Sequence, residues 1–378
     1  MLARIGIGAL IGVITMTGCA QSDALTSSPL TVPASSTSTP NTDVPSDPPD
    51  DDPAPENTVT VSFSLVGDMT FGTSRNLPPG GIDSILGHVR GELQSDLTMG
   101  NLETVIGNVS AIKCTEDSDS CHEFVAHPST ARALRDAGFS AVSVANNHTY
   151  DAGAAGAKAT EQALSDAGIK WTGRPGQITY MTLEETGVKV GLLAFAPYAS
   201  SSNAVNIVNA AQMVAKAAKN ADLVVVYMHV GGEGSDRQNV KPGSESFLGE
   251  NRGDPMALSH AVIDAGADLV FGSGPHVLRG MQWYKGHLIA YSLGNFCGYH
   301  TFNTNGPLGL SAVLHVTLDS RGGFIQGSLT PLKLIGAGTP QIDATRKAID
   351  TVRQLSKADF GGKGAVGLDV DGTIQPPN

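Results

Sequence analysis

Clustered positive charge and long apolar runs are both scarce in this 378-residue chain. Lys and Arg number 24 against 36 Asp and Glu, giving a net charge of −12. No basic stripe is present to follow a phosphate backbone, which excludes nucleic-acid binding by electrostatics. An anionic polymer would need a local exception to the same balance. The one extended apolar run, Ile5 to Met16, is too short to cross a bilayer as a helix. Charged residues make up only 16% of the chain and apolar residues 40%. That composition suits a buried α/β sheet better than a coiled or disordered protein. Cysteines number four, and there is no internal repeat.

What is present begins with an address. Met1-Leu2-Ala3-Arg4 supplies a positive end, the apolar run follows, and Thr17-Gly18-Cys19-Ala20 supplies small residues around a cysteine. The pattern is that of a secretory signal, and the placement of Cys19 resembles a bacterial lipobox. Residues 1–19 are therefore expected to be a lipoprotein signal peptide, with Cys19 lipidated and the mature protein anchored to the extracytoplasmic face of the cell membrane. The alternative is an ordinary signal peptide with an incidental cysteine. Residues 20–57 hold six Asp, one Glu, no Lys or Arg and no aromatic residue, and 20 of the 38 positions are Pro, Ser or Thr. No core can form from that composition, so a disordered tether is expected. Cys114 and Cys121 flank a polar loop and could close it as a disulfide in an oxidising compartment. Metal binding is the weaker alternative for this pair, and Cys297 reads as a small core residue.

From Val59 the chain alternates apolar runs with helical patterns. Strands are predicted over 59–66, 96–100, 141–144, 188–195, 223–227 and 268–271, with helices over 82–93, 130–137 (Ser129 as N-cap, Gly138 as stop), 154–166, 205–219 and 256–265. Hairpins are predicted over 281–293 and 311–329, and a last helix over 342–355. Short connections between strands and helices argue for an α/β sheet with helices on both faces. The expected organisation is a domain over 58–338 with a C-terminal helix and tail over 339–378.

Five of these strands run into polar residues: Asp68; Asn101 and Glu103; Asn147, His148 and Asp151; His229 with Glu233; and His276. In a mainly parallel sheet such ends gather along one edge, where open α/β sheets bind ligands. Each alone has a bland reading, such as a turn-capping Asp or a solvated Glu. Asn-Asn-His after a buried strand is sharper, because buried polar groups are costly unless paired. Carboxylate, imidazole and amide-oxygen donors together suit Mn²⁺, Fe²⁺ or Zn²⁺ better than Ca²⁺, and two such ions could activate water and clamp a phosphoryl oxygen.

The stretches Gly67-Asp68-Met69-Thr70-Phe71-Gly72, Asn101-Leu102-Glu103, Ala145-Asn146-Asn147-His148 with Asp151, His229-Val230-Gly231-Gly232-Glu233, and Pro275-His276-Val277 with Gly294-Asn295-Phe296 resemble the CapA family in order. That family is associated with poly-γ-glutamate capsule synthesis. The resemblance implies a layered α/β sandwich of metallophosphatase (calcineurin-like) type, with a mixed, largely parallel core sheet. It further implies that Asp68, Glu103, Asn147, His229 and His276 are metal ligands, with His148 as the acid that protonates a leaving group and Asp151 in the catalytic set. Asn101, Glu233 and Asn295 would touch the ligands or the substrate. One or two divalent ions are implied, together with partners among capsule or envelope synthesis proteins and an anionic polymer.

Two positions depart from the metallophosphatase pattern. Thr70 stands where Asp-x-His has its histidine, and Gly274 stands where Gly-His-x-His has its first. Two readings are carried forward: an exported metallophosphatase-like hydrolase, acting on a phosphoester or a γ-glutamyl amide, and a non-catalytic polymer-binding or scaffold protein with a degenerate centre.

Overall fold

A computed structural model describes residues 58–73, 76–114 and 121–377. The expected signal peptide, Cys19 and the 20–57 tether lie outside the described residues. Most strands divide over two stacked sheets, and two short ladders, Val105–Ile106 with Val125–Ala126 and Ser246–Phe247 with Glu250–Asn251, stand apart from them. The first runs, edge to edge, through Thr339–Ile342, Phe324–Ile335, Leu310–Asp319, Thr60–Met69, Leu97–Leu102, Ala141–Ser143 and Lys170–Thr172, with Asn295–Cys297 pairing alongside Thr60–Met69. The second runs through Met281–Tyr284, His287–Ala290, Leu269–Ser273, Leu223–His229, Lys189–Ala196 and Thr179–Thr182. Pairing is parallel through the centre of each and antiparallel toward the hairpin edges.

Alternation along the strands explains the layers. Phe63, Leu65 and Met99 of the first sheet meet Leu192, Val225, Tyr227 and Phe271 of the second in one buried cluster between the sheets. The other face of the first sheet, with Val66, Met69 and Val142, packs against Leu134 and Leu164 of the helices Ser129–Ala137 and Gly153–Asp166. Val224, Val226 and Val270 of the second sheet pack against Ala210, Val214, Leu258 and Val262 of Ile207–Ala218 and Pro255–Asp264. The result is helix, sheet, sheet, helix, the expected layered α/β sandwich. Strands such as Leu223–His229 read as unbroken apolar runs because both faces are covered.

Some local expectations change. The helix predicted over 82–93 is a single turn, Asp83–Leu86, followed by the 3₁₀ turn Arg90–Leu93. Gly87 lies between them, and glycine in a helix interior is destabilising. Ser129 is the first helical residue rather than the cap, and Gly138 ends the helix in the left-handed region as expected. The C-terminal stretch adds the edge strand Thr339–Ile342 before the helix Lys347–Gly364, which breaks at Gly361 and Gly362.

Candidate metal centre

The carboxyl ends of the central strands of both sheets come together. Parallel pairing sets Asp68 beside Asn101 on one flank and beside Asn295 on the other. The approach requires glycine at position 67: a Cβ there would lie 1.9 Å from the Gly294 carbonyl oxygen. In the second sheet His229 pairs with Ser273. Asp68 thus receives three donors from two other strand ends. Asn101 Nδ2 donates at 2.7 Å, the Gly274 N–H at 3.1 Å, and the Ser273 hydroxyl donates as well. His276 Nδ1 lies 3.2 Å and His229 Nδ1 3.6 Å from its oxygens.

Glu103 is different. It is fully buried, and its oxygens come no closer to the imidazoles than 3.6 Å for His229 Nε2 and 4.0 Å for His276 Nε2. Both Glu103 carboxylate oxygens, His229 Nε2 and Asn147 Oδ1 are buried with no hydrogen-bond partner. Buried polar atoms are ordinarily paired, and leaving a group unpaired costs about 1–3 kcal/mol, more if it is charged. A divalent cation would satisfy this donor set, the two oxygens of one carboxylate with an imidazole nitrogen and an amide oxygen. Asp68, Glu103 and His276 each bring one ligand atom within 4.8 Å of the others, and Glu103 belongs to both groupings.

Burial and mutual contacts set the charge of these groups. Burial pushes the Glu103 carboxyl well above its ordinary range, and the neighbouring Asp68 pushes it further. Burial also opposes ionisation of Asp68, but His229 and His276 outweigh it and hold that carboxyl well below the usual range. Burial works against a charged His276, yet Glu103, Asp68 and Glu233 raise it to about 10. A bound cation would take over this compensating role.

The Asn-Asn-His stretch divides its tasks. Asn146 Nδ2 donates to Asn101 Oδ1 at 3.0 Å and to the Leu102 carbonyl at 2.9 Å, while its own oxygen accepts from the His148 N–H at 3.0 Å. His148 Nδ1 lies 2.7 Å from Asp151 Oδ2, which leaves Nε2 for a substrate. Asp151 is fully buried, accepts from the Phe124 N–H at 2.7 Å and sits 3.1 Å from Lys113 Nζ. Asp151 therefore orients His148 and does not itself line the cleft. The Phe124 ring stacks on His148 at 4.1 Å. Burial brings His148 down to about 4, with Asp151 only partly opposing it.

In front of these groups lies a cleft of about 520 Å³, bordered by Lys113, Asn147, His148, Glu233, His276 and Asn295 among others. Glu233 is paired to Arg252 at 2.7 Å, with its other oxygen 3.8 Å from His276 Nε2. Cys114 and Cys121 are joined by a disulfide directly after Lys113, and Cys297 is a buried free thiol. The two departures have local causes. The Thr70 hydroxyl is hydrogen-bonded to that of Thr301. Gly274 has φ 108°, and a Cβ there would press on His229 and Val230 at 3.2–3.3 Å, so this backbone is built for glycine.

Sequence reasoning missed Ser273, Tyr227, Lys113 and the linking role of Asn146. Tyr227 shares a hydrogen bond with Ser273 and lies 3.3 Å from His229 Nδ1. Only Asn146 carried a signal, as the first polar residue to follow a buried strand.

The sequence matches the family described as bacterial capsule synthesis protein PGA_cap over residues 62–299. It is 31% identical over 259 residues to the capsule biosynthesis protein CapA of Bacillus anthracis, covering 62% of this chain and 59% of that one. It is 30% identical over 256 residues to the PGA biosynthesis protein CapA of Bacillus subtilis, covering 62% and 63% respectively. The chain thus spans about three fifths of the length of these relatives. Among solved structures it is similar to a 5′-nucleotidase precursor from Thermus thermophilus, at 14% identity and a TM-score of 0.38, over 79% of this chain and 59% of that one.

Proposed function

The chain belongs to the family of bacterial capsule synthesis proteins, and on that premise we propose that it is a metal-dependent hydrolase or transferase of the cell envelope. Its substrate is a phosphoester or a γ-glutamyl amide in a capsule-type polymer. The observation that carries this reading is the set of unpartnered buried acceptors on Glu103, His229 and Asn147, next to a His148–Asp151 pair that opens on a cleft. Asp68, Glu103, Asn147, His229 and His276 would hold one or two divalent ions, Mn, Fe or Zn. When bound, such an ion supplies an activated water and polarises the oxygen of the bond to be cleaved.

The remaining work falls to the chain's own groups. Asp151 holds His148 Nδ1, so Nε2 is the atom that exchanges a proton with the leaving group. The Phe124 ring stacks on His148 and covers one face of the imidazole. Lipidation of Cys19 would tether the domain to the membrane, near other capsule synthesis proteins and an anionic polymer. Among the described residues no helix is long and apolar enough to cross a membrane.

The test is metal content together with a screen of phosphoesters and γ-glutamyl peptides, with His148→Ala as control. Turnover that requires metal and is lost in the variant supports the reading. A metal-free, inactive wild type instead favours a scaffold protein, the alternative that Thr70 and Gly274 motivate.

A further inference from the structure

We propose that Asn295 is a positioning residue that fixes His276 as an Nε2 ligand, an inference that rests on the metal-centre reading above. Asn295 is buried beside Asp68 in the parallel register of Thr60–Met69 with Asn295–Cys297. Its amide is locked in one orientation. Nδ2 faces two carbonyl oxygens, those of His276 and Leu308, each at 3.3 Å. Carbonyls accept and never donate, so the amino group has to be the end that faces them. Oδ1 is then the atom 2.8 Å from His276 Nδ1.

An amide oxygen also only accepts, so the proton on the imidazole sits at Nδ1. Asp68 Oδ2 lies 3.2 Å from the same nitrogen, but it already accepts from the Gly274 N–H, so Asn295 Oδ1 is the nearer and better-placed acceptor. With its proton on Nδ1, a neutral imidazole keeps a lone pair on Nε2. That nitrogen faces Glu103 Oε1 at 4.0 Å and Glu233 Oε2 at 3.8 Å, on the side where the unpartnered Glu103 oxygens lie. The backbone of His276 is held at φ 61°, an uncommon conformation for a residue with a side chain. Asn295 therefore grips both ends of His276, its carbonyl and its ring. His229 lacks this grip: Asn101 Nδ2 and the Tyr227 hydroxyl lie 3.3 Å from its Nδ1, and Asp68 lies 3.6 Å away.

The test uses the full chain loaded with Zn²⁺, ¹⁵N-labelled at histidine, with the His276 signals assigned by their loss in His276→Gln. Wild type should show His276 coordinated through Nε2 with a protonated Nδ1. Asn295→Leu, which keeps bulk but removes the acceptor, should weaken Zn²⁺ binding about 10–100-fold and lose that signature. Asn295→Asp, which restores an acceptor oxygen, should recover the signature and most of the affinity. Equal Zn²⁺ binding by wild type and Asn295→Leu with an unchanged signature overturns the inference and leaves the metal centre standing. Should Asn295→Leu fail to fold, the wild-type spectrum decides alone, since coordination through Nδ1 contradicts the assignment. A wild type that takes up no Zn²⁺ overturns both the metal centre and this inference.

Discussion

Asp68 and Glu103 lie at the carboxyl ends of neighbouring parallel strands, and both are fully buried. Asp68 accepts hydrogen bonds from Asn101, Ser273 and the Gly274 backbone, with two imidazoles beside it. Glu103 accepts none on either oxygen. The contrast separates two uses of a buried carboxylate. A saturated one ties strand ends together and holds the frame of the site. An unsaturated one is tolerated because something outside the chain completes it. Leaving a buried polar group without partners is costly in either protonation state, so the isolation of Glu103 is evidence about a ligand in a way that Asp68 alone is not.

Breaking the saturated member should have the largest effect. Asp68→Ala is expected to abolish metal uptake and to lower the stability of the metal-free protein by about 3–5 kcal/mol, because a buried charged network loses its acceptor. Chemical denaturation in chelator checks this, and an unchanged midpoint would show that Asp68 is not a structural hub. Glu103→Gln should weaken metal binding as severely. In chelator, however, it should leave stability unchanged or raise it by up to about 2 kcal/mol, since a neutral amide relieves an unpaired buried carboxyl. A loss as large as that of Asp68→Ala would erase the distinction. His148→Ala, outside the proposed ligand set, should keep its metal while turnover of whichever phosphoester or γ-glutamyl substrate is found drops about 10²–10⁴-fold.

The smallest effect concerns a third carboxylate that lies between the two extremes. Asp268 accepts one backbone hydrogen bond, from Val224 at 2.7 Å, and burial raises it from 3.8 to about 6. A raised carboxyl binds its proton more tightly when folded, so its stabilising contribution is present below about pH 4 and is lost as pH rises to about 6. Asp268→Asn should remove this step, shrinking the stability difference between pH 4 and pH 7 by about 2–3 kcal/mol. Denaturant midpoints at the two pH values measure it, and identical pH profiles for variant and wild type would contradict it.

These contrasts also show which parts of the molecule were legible in sequence. Leu223 to Tyr227 is legible as a strand because burial on both faces leaves no polar position, and Val59 to Val66 is legible through its apolar–polar alternation; the polar residue ending each is conspicuous. The division into two sheets was not legible, because an apolar run does not say which partner covers it. Glu103 could be proposed as a ligand only through its motif. Its isolation depends on which donors approach from the other sheet, and no spacing within the chain encodes that. Ser273 and Tyr227 were passed over for the same reason: their hydroxyls matter only because Leu269–Ser273 and Leu223–His229 end opposite Asp68. The short Asp83–Leu86 turn was over-read as a full helix since its apolar spacing continued past Gly87.

The most direct test of the central claim is calorimetric titration of chelator-stripped wild type and Glu103→Gln with Mn²⁺ and with Zn²⁺. The account predicts uptake of at least about one equivalent by wild type and little or none by the variant, whose fold stays intact. Uptake below about a tenth of an equivalent by wild type, or equal uptake by both proteins, would contradict it.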